Sequence, residues 1–159
     1  MTDIAAEIGD LLRQKSLTLG TVESATGGLI AHMITEVPGS SDYFKGSIVS
    51  YSNEIKNRIV GVKMATLERY GAVSSQVAEE MALGGRKLLD VDVCLADTGI
   101  AGPGGATPGK PVGLFYLGMA DKDGVFSRKH EFHGNRIRNK QSAAEAVLDW
   151  LKEYLSSLS

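Results

Sequence analysis

A single cysteine, Cys94, stands in 159 residues, so no internal disulfide forms and a cysteine-rich zinc site is excluded. It lies in the apolar run VDVCLAD and reads as a small core residue. Histidine is almost as scarce. His32, His130 and His133 lack the paired helical spacing of metal ligands, and within a strand His130 and His133 point to opposite faces. No cluster of histidine and carboxylates has ligand spacing, so no catalytic metal is expected. An excess of charge of either sign is also missing. The formal charge of -2 and pI near 5.9 provide no basic field, which disfavours a nucleic-acid partner. No apolar run approaches a membrane span, and MTDIAAEIGDLL carries early acids and no signal-peptide pattern. A soluble, cytoplasmic protein with no membrane partner is expected. There is no internal repeat, linker or low-complexity segment.

What is present is ordinary globular material, 43% hydrophobic and 23% charged, in a length suited to one domain over residues 1–159. Ile4, Ile8, Leu11 and Leu12 mark a first helix, with Asp3 or Thr2 as its cap. A strand is expected over 17–23, and a helix over 29–37 that stops before Pro38-Gly39. A second strand is expected from Gly46, followed by a short helix capped by Asn53 and closed by Gly61. Helices are expected over 65–70 and 75–89, the latter with Ser74 or Ser75 as cap and Glu79 near the capping-box position. Residues 91–97 read as a buried strand, and 112–121 with 124–132 as a hairpin turning at Asp123-Gly124. The last helix is expected over 138–158. Strands interleaved with helices plus one hairpin imply an α/β domain whose mixed sheet has helices on both faces.

Four groups carry candidate chemistry. The loop over 98–111 has fourteen residues and five glycines, more than a connection needs, and glycine lets main-chain N–H groups converge on an anion. Gly104, Gly109 and Lys110 fit G-x-x-x-x-G-K. Yet Pro111 replaces the serine or threonine that holds magnesium, and a strand-like run follows where a helix is required, so a phosphate-transfer loop is disfavoured. Ser24, in VESATGG, stands at a strand-to-helix junction. Helix geometry leaves the amides of Ala25, Thr26, Gly27 and Gly28 without partners, and these are potential oxyanion donors. The ordinary reading of Ser24 or Thr26 is a plain helix cap, the commonest use of these residues. Tyr51 and Lys56, in IVSYSNEIK, end a strand and enter a turn. A lysine made neutral by burial serves as a base for a serine, although a solvated lysine and a core tyrosine are the ordinary alternatives. Arg136, Arg138 and Lys140 form a basic group before the last helix, either a phosphate grip or a solvated turn.

Taken together, ESATGG (23–28), VPGSS (37–41), YSNEIK (51–56), GVKMATLERYGAVS (61–74) and TGIAGPGG with KPVG (98–113) closely resemble the CinA C-terminal domain family, the nicotinamide mononucleotide amidohydrolases of bacteria. The resemblance covers essentially the whole chain. It implies a three-layer α/β/α domain with a mixed sheet. The implied reaction is hydrolysis of the carboxamide of nicotinamide mononucleotide to nicotinate mononucleotide and ammonia, in pyridine nucleotide salvage, with no cofactor. It also implies a homodimer or larger homo-oligomer. By position, Ser24 becomes the nucleophile, Lys56 its general base, and Tyr51 the residue that orients the dyad or the substrate. Thr26, Gly27 and Gly28, with Thr98, Gly99, Ala101, Gly102, Gly104 and Gly105, become substrate-binding positions, and Arg136 a phosphate ligand. Many members have cysteine where Ala25 stands, so no thiol is required there. Lys140 falls where arginine is common, which keeps a cation but loses bidentate phosphate geometry. A non-catalytic nucleotide-binding or regulatory module with the same pocket is the alternative reading.

Overall fold

The structure is a computed structural model and describes residues 3–158. A five-stranded sheet is built from β1 (Leu19–Glu23), β2 (Phe44–Val49), β3 (Val93–Gly99), β4 (Leu114–Asp121) and β5 (Gly124–Glu131), in the order β2-β1-β3-β4-β5. β1 pairs in parallel with both β2 and β3, whereas β4 runs antiparallel to β3 and to β5. The sheet is therefore mixed, as the pattern of helices and hairpin implies.

The helices are α1 (Ile4–Lys15), α2 (Leu29–Thr35), α3 (Asn53–Ile55), α4 (Met64–Tyr70), α5 (Ser75–Leu89) and α6 (Arg136–Ser157). α3 runs directly into one wide π-type turn, Lys56–Val60. Strand alternation sorts the core into two layers. Leu19, Val93, Leu95, Phe115, Leu117 and Met119 face α1, α2 and α6, where they meet Ile8, Leu12, Ile30, Val147 and Leu151. Val22, Cys94, Ala96 and Ala120 face Val77, Met81 and Ala82 of α5. Two glycines let α5 lie close on the sheet. A Cβ on Gly85 would stand 2.2 Å from Val22 Cγ2, and one on Gly118 2.3 Å from the Ala78 carbonyl oxygen. The same alternation puts Thr21, Glu23 and Asp97 on the α2 and α6 face, and Thr98 on the α5 face.

The structure decides between the alternative caps, and several boundaries differ from expectation. Asp3 caps α1 by accepting from the amides of Ala5 and Ala6, while Thr2, the other candidate, lies outside the described residues. Ser52, not Asn53, caps α3, because its side chain accepts from Ile55 N and Asn53 is already helical. Ser74 caps α5 through Val77 N, and Glu79 is no part of a capping box; it accepts from the Ser127 hydroxyl across the layer. The hairpin turns at Lys122 and Asp123, since Gly124 already pairs with Asp121. α6 starts at Arg136, two residues early, because Asn135 caps it through Arg138 N. His133 lies beyond the end of β5 at Glu131, and His130 within the strand stacks on Phe132. Among the described residues no three His, Cys, Asp or Glu side chains gather as metal ligands, and no helix is long and apolar enough to cross a membrane.

Candidate active site

Because β1, β2 and β3 are parallel, their C-terminal ends open on the same edge. Connections leave β1 and β3 in opposite directions there, which is the general position for ligand sites in open α/β sheets. Ser24 follows β1, Ser50 and Tyr51 follow β2, and residues 100–113 follow β3. The C-terminal ends thus bring the three sequence motifs together.

The Ser24 turn is held from below by two buried carboxylates. Asp97 Oδ1 accepts from Ser24 N and Asp97 Oδ2 from Thr26 N, both at 3.1 Å. Glu23 reaches forward along the chain to accept from the amides of Gly28, Ile30 and Ala31, at 3.1, 2.9 and 2.9 Å. Glu23 is thus the cap of α2, and neither Ser24 nor Thr26 caps it. The Thr26 hydroxyl lies between the acids, 2.8 Å from Glu23 Oε1 and 2.5 Å from Asp97 Oδ1. The hydroxyls of Thr21 and Ser47 complete the shell of Glu23. Gly27 and Gly28 adopt positive φ, +61° and +102°, which lets the chain double back over Glu23.

This arrangement corrects the expected oxyanion donors. The amides of Thr26 and Gly28 are bonded to carboxylates, and Gly27 N donates to Ser24 O. Of the amides after Ser24, only that of Ala25 has no acceptor among the described residues. In the glycine loop the amides of Ala101, Gly102, Gly104 and Gly105 have none either, while Ile100 N is taken by Leu114 O.

Lys56, the first residue of the π-type turn, is only 1% exposed. Its Nζ lies 2.9 Å from Ser24 Oγ, 2.9 Å from Ser50 O and 3.2 Å from Tyr51 O. A neutral amine has two N–H groups and one lone pair. With the N–H groups on the two carbonyls, the lone pair faces the serine. Burial pushes the Lys56 amine down to about 8 from its ordinary 10.5, and the negative charge of Asp97 pulls it part of the way back. Burial likewise pushes the Asp97 carboxyl up to about 6, against the hydrogen bonds from Thr26 and Ser24 that favour its charged form.

Ser24 and Lys56 line a cleft of about 270 Å³ with Ala25, Tyr51, Asn53 and Arg136, walled by Thr98 and the 99–105 loop. Gly99, Ala101, Gly102, Gly104 and Gly105 all border it. The Thr98 hydroxyl donates to Ala72 O and pins the segment between α4 and α5 to the cleft wall. Arg136 stands at the mouth, where Nη1 donates to Gly102 O at 2.8 Å and Nη2 to the Tyr51 hydroxyl at 3.1 Å. The Tyr51 side chain is 62% exposed and reaches Arg136; only its carbonyl reaches Lys56. Thr26, Gly27 and Gly28 border an adjoining recess instead, with Leu29, His32, Ile137 and Lys140, so the structure does not bring them or Lys140 into the Ser24 cleft.

Sequence reasoning passed over Glu23, Asp97 and Asn139. Asn139 is fully buried and bridges the glycine loop to the start of α6, donating to Ala101 O and Gly134 O and accepting from Gly134 N. A usable signal existed for the two acids, since each is a carboxylate at or near the end of an apolar strand, in phase with the buried residues of one face.

Comparison with known proteins identifies the family and the fold. Residues 1–155 match the family model described as the CinA C-terminal domain. A putative competence-damage inducible protein of Halothermothrix orenii is 46% identical over 155 residues, 97% of this chain and 38% of the relative. A CinA-like protein of Salinibacter ruber is 46% identical over 153 residues, 96% of this chain and 37% of the relative. The chain therefore spans less than two-fifths of the length of these relatives. Among solved structures, competence/damage inducible protein CihA of Agrobacterium tumefaciens superposes with a TM-score of 0.90 at 34% identity, covering 99% of this chain and 98% of its own. Competence damage-inducible protein A of Klebsiella pneumoniae superposes at 0.95 with 27% identity, covering 98% and 97%. By sequence, by fold and by the motifs that meet at the C-terminal strand ends, the chain belongs to the CinA C-terminal domain family.

Proposed function

We propose that the chain hydrolyses the carboxamide of nicotinamide mononucleotide, giving nicotinate mononucleotide and ammonia, with Ser24 as nucleophile and Lys56 as base. The observation that carries this reading is the 2.9 Å contact between Ser24 Oγ and a buried amine whose other two bonds go to carbonyls. The family resemblance supplies the substrate.

Neutral Lys56 takes the Ser24 proton as Oγ bonds to the carboxamide carbon, and the carbonyl electron pair moves to oxygen. The oxyanion is met by the Ala25 amide and the acceptor-free amides of the 101–105 loop, not by those of residues 26–28. Protonated Lys56 returns its proton to the nitrogen as the C–N bond breaks and ammonia leaves. Water then attacks the acyl-serine, Lys56 takes its proton, and Ser24 regains a proton as the acid is released. Arg136 at the mouth meets the phosphate, its guanidinium oriented by Gly102 O and the Tyr51 hydroxyl. No cofactor enters any step. The unit acts as one domain over residues 1–159, in the cytoplasm, as a homodimer or larger homo-oligomer; light scattering at the monomer mass would overturn that assembly.

The test is incubation of purified protein with nicotinamide mononucleotide without added metal, while ammonia is measured. Ser24→Ala and Lys56→Ala should stay folded and each lose at least about a hundredfold in turnover. Ammonia release at the unaltered rate from Ser24→Ala removes Ser24 from the mechanism. No release from the unaltered chain, with nucleotide binding retained, favours the non-catalytic module.

A further inference from the structure

Asp97 is fully buried, touches the reactive turn, and takes no part in the steps above. It bonds to three groups of that turn, Ser24 N, Thr26 N and the Thr26 hydroxyl, and so fixes the backbone from which Ser24 Oγ projects toward Lys56. We propose that Asp97 is a positioning residue for the Ser24–Lys56 pair, holding the serine turn and setting the charge state of the lysine across it. This rests on the dyad reading given under Proposed function.

The other charged groups around Lys56 leave Asp97 in this role. Glu23, on the neighbouring strand, is saturated by donors from Thr21, Thr26, Gly28, Ile30, Ala31 and Ser47, which spread its charge over the α2 cap. Glu54 and Arg58, on the helical segment of Lys56 itself, pair with each other in solvent. Glu80 of α5 is taken by Lys63 N and the Thr66 hydroxyl. Arg136 lies exposed at the mouth.

The single Thr26 hydroxyl proton faces two carboxylates. When Asp97 carries its own proton, Asp97 donates to Thr26 and Thr26 to Glu23, and both contacts are satisfied. When Asp97 is ionised, one contact goes without a proton, while its negative charge, on the far side of the Ser24 turn, favours the ammonium form of Lys56. The carboxylate therefore opposes the effect of burial and keeps the lysine protonated at rest, ready to lose its proton only near the upper end of the physiological range.

The experiment is a nitrogen-15 NMR titration of Lys56 Nζ, assigned by its loss in Lys56→Met, in the unaltered chain and in Asp97→Asn. The midpoint should fall by on the order of one pH unit in Asp97→Asn, and the rising limb of kcat/KM should move down with it. Because coupling is reciprocal, the Asp97 carboxyl midpoint should rise in Lys56→Met. If Asp97→Asn does not fold, this second measurement decides alone. A Lys56 midpoint unchanged in folded Asp97→Asn, or an Asp97 midpoint unchanged in Lys56→Met, overturns the proposal. Neither titration needs turnover, so a chain that releases no ammonia but shows both shifts refutes the amidohydrolase reading and leaves the coupling intact.

Discussion

Replacing Lys56 by methionine separates what the buried amine does for chemistry from what it does to the fold. Methionine keeps an unbranched stem of similar length, so the cavity stays filled, but it removes the titrating group and the donor to Ser50 O and Tyr51 O. The amine titrates near 8 in the folded protein and at about 10.5 when the chain is free. Between those values the unfolded chain binds more protons than the folded one, so folding stability rises with pH across that window. At about 1.4 kcal/mol per pH unit the rise is about 3 kcal/mol. Below pH 8 the whole of that penalty burdens the folded state. Urea unfolding of both proteins at a series of pH values from 7.5 to 10.5 measures it, and the difference between the two curves cancels the titration of the remaining lysines and tyrosines. The unaltered chain should gain about 3 kcal/mol relative to Lys56→Met across the series. Parallel curves would refute the reasoning, because a lysine with the same proton affinity folded and unfolded is not buried as a neutral base.

The remaining expectations concern other parts of the cleft. The kcat/KM for nicotinamide mononucleotide should rise with pH to a plateau with a midpoint near 8, and a profile flat from pH 6.5 to 9.5 would exclude Lys56 as the base. Glu23→Gln places an amide N–H₂ where the turn offers only donors, so it should lower stability by about 2–4 kcal/mol in thermal or urea unfolding, through loss of the α2 cap. Arg136→Ala should raise KM for the mononucleotide about tenfold or more with a smaller change in kcat, and should leave the phosphate-free riboside unaffected. Equal effects on the two substrates would place the phosphate elsewhere.

Much of the fold was legible because its signals are local. Asp3 and Ser74 cap the helices they precede, and strand alternation separates Leu19, Val93 and Leu95 from Val22, Cys94 and Ala96. Motif resemblance singled out Ser24 and Lys56 from opposite sides of a 32-residue interval, which periodicity alone does not connect. The misreadings share a cause. Free amides at a helix start are a rule about the helix itself, and here a carboxylate from the preceding strand occupies them before any ligand arrives. Asp97 serves Ser24 and Thr26 from 73 and 71 positions away, and only the parallel pairing of β1 with β3 makes them neighbours. Tyr51 shows the same limit, since the sequence indicates which residue lies near Lys56 but not that its carbonyl, rather than its ring, makes the contact.

The stability withheld by Lys56 and the reactivity it supplies are one quantity seen from two sides. A lysine at its ordinary 10.5 is neutral at pH 7 in about three molecules per ten thousand, and one held near 8 in about one in ten. Reaching the reactive form from the resting ammonium then costs about 1.4 kcal/mol instead of nearly 5. The difference of about 3 kcal/mol is the same free energy that folding loses below pH 8. Part of it returns, since a weaker base draws the serine proton less strongly. Asp97 limits how far the exchange proceeds: without its charge, burial would lower the lysine further, leaving it neutral more often but weaker as a base and dearer to the fold. Making the site more stable by relieving the burial of Lys56 should therefore slow the reaction at neutral pH, and making Lys56 more acidic should leave a less stable protein.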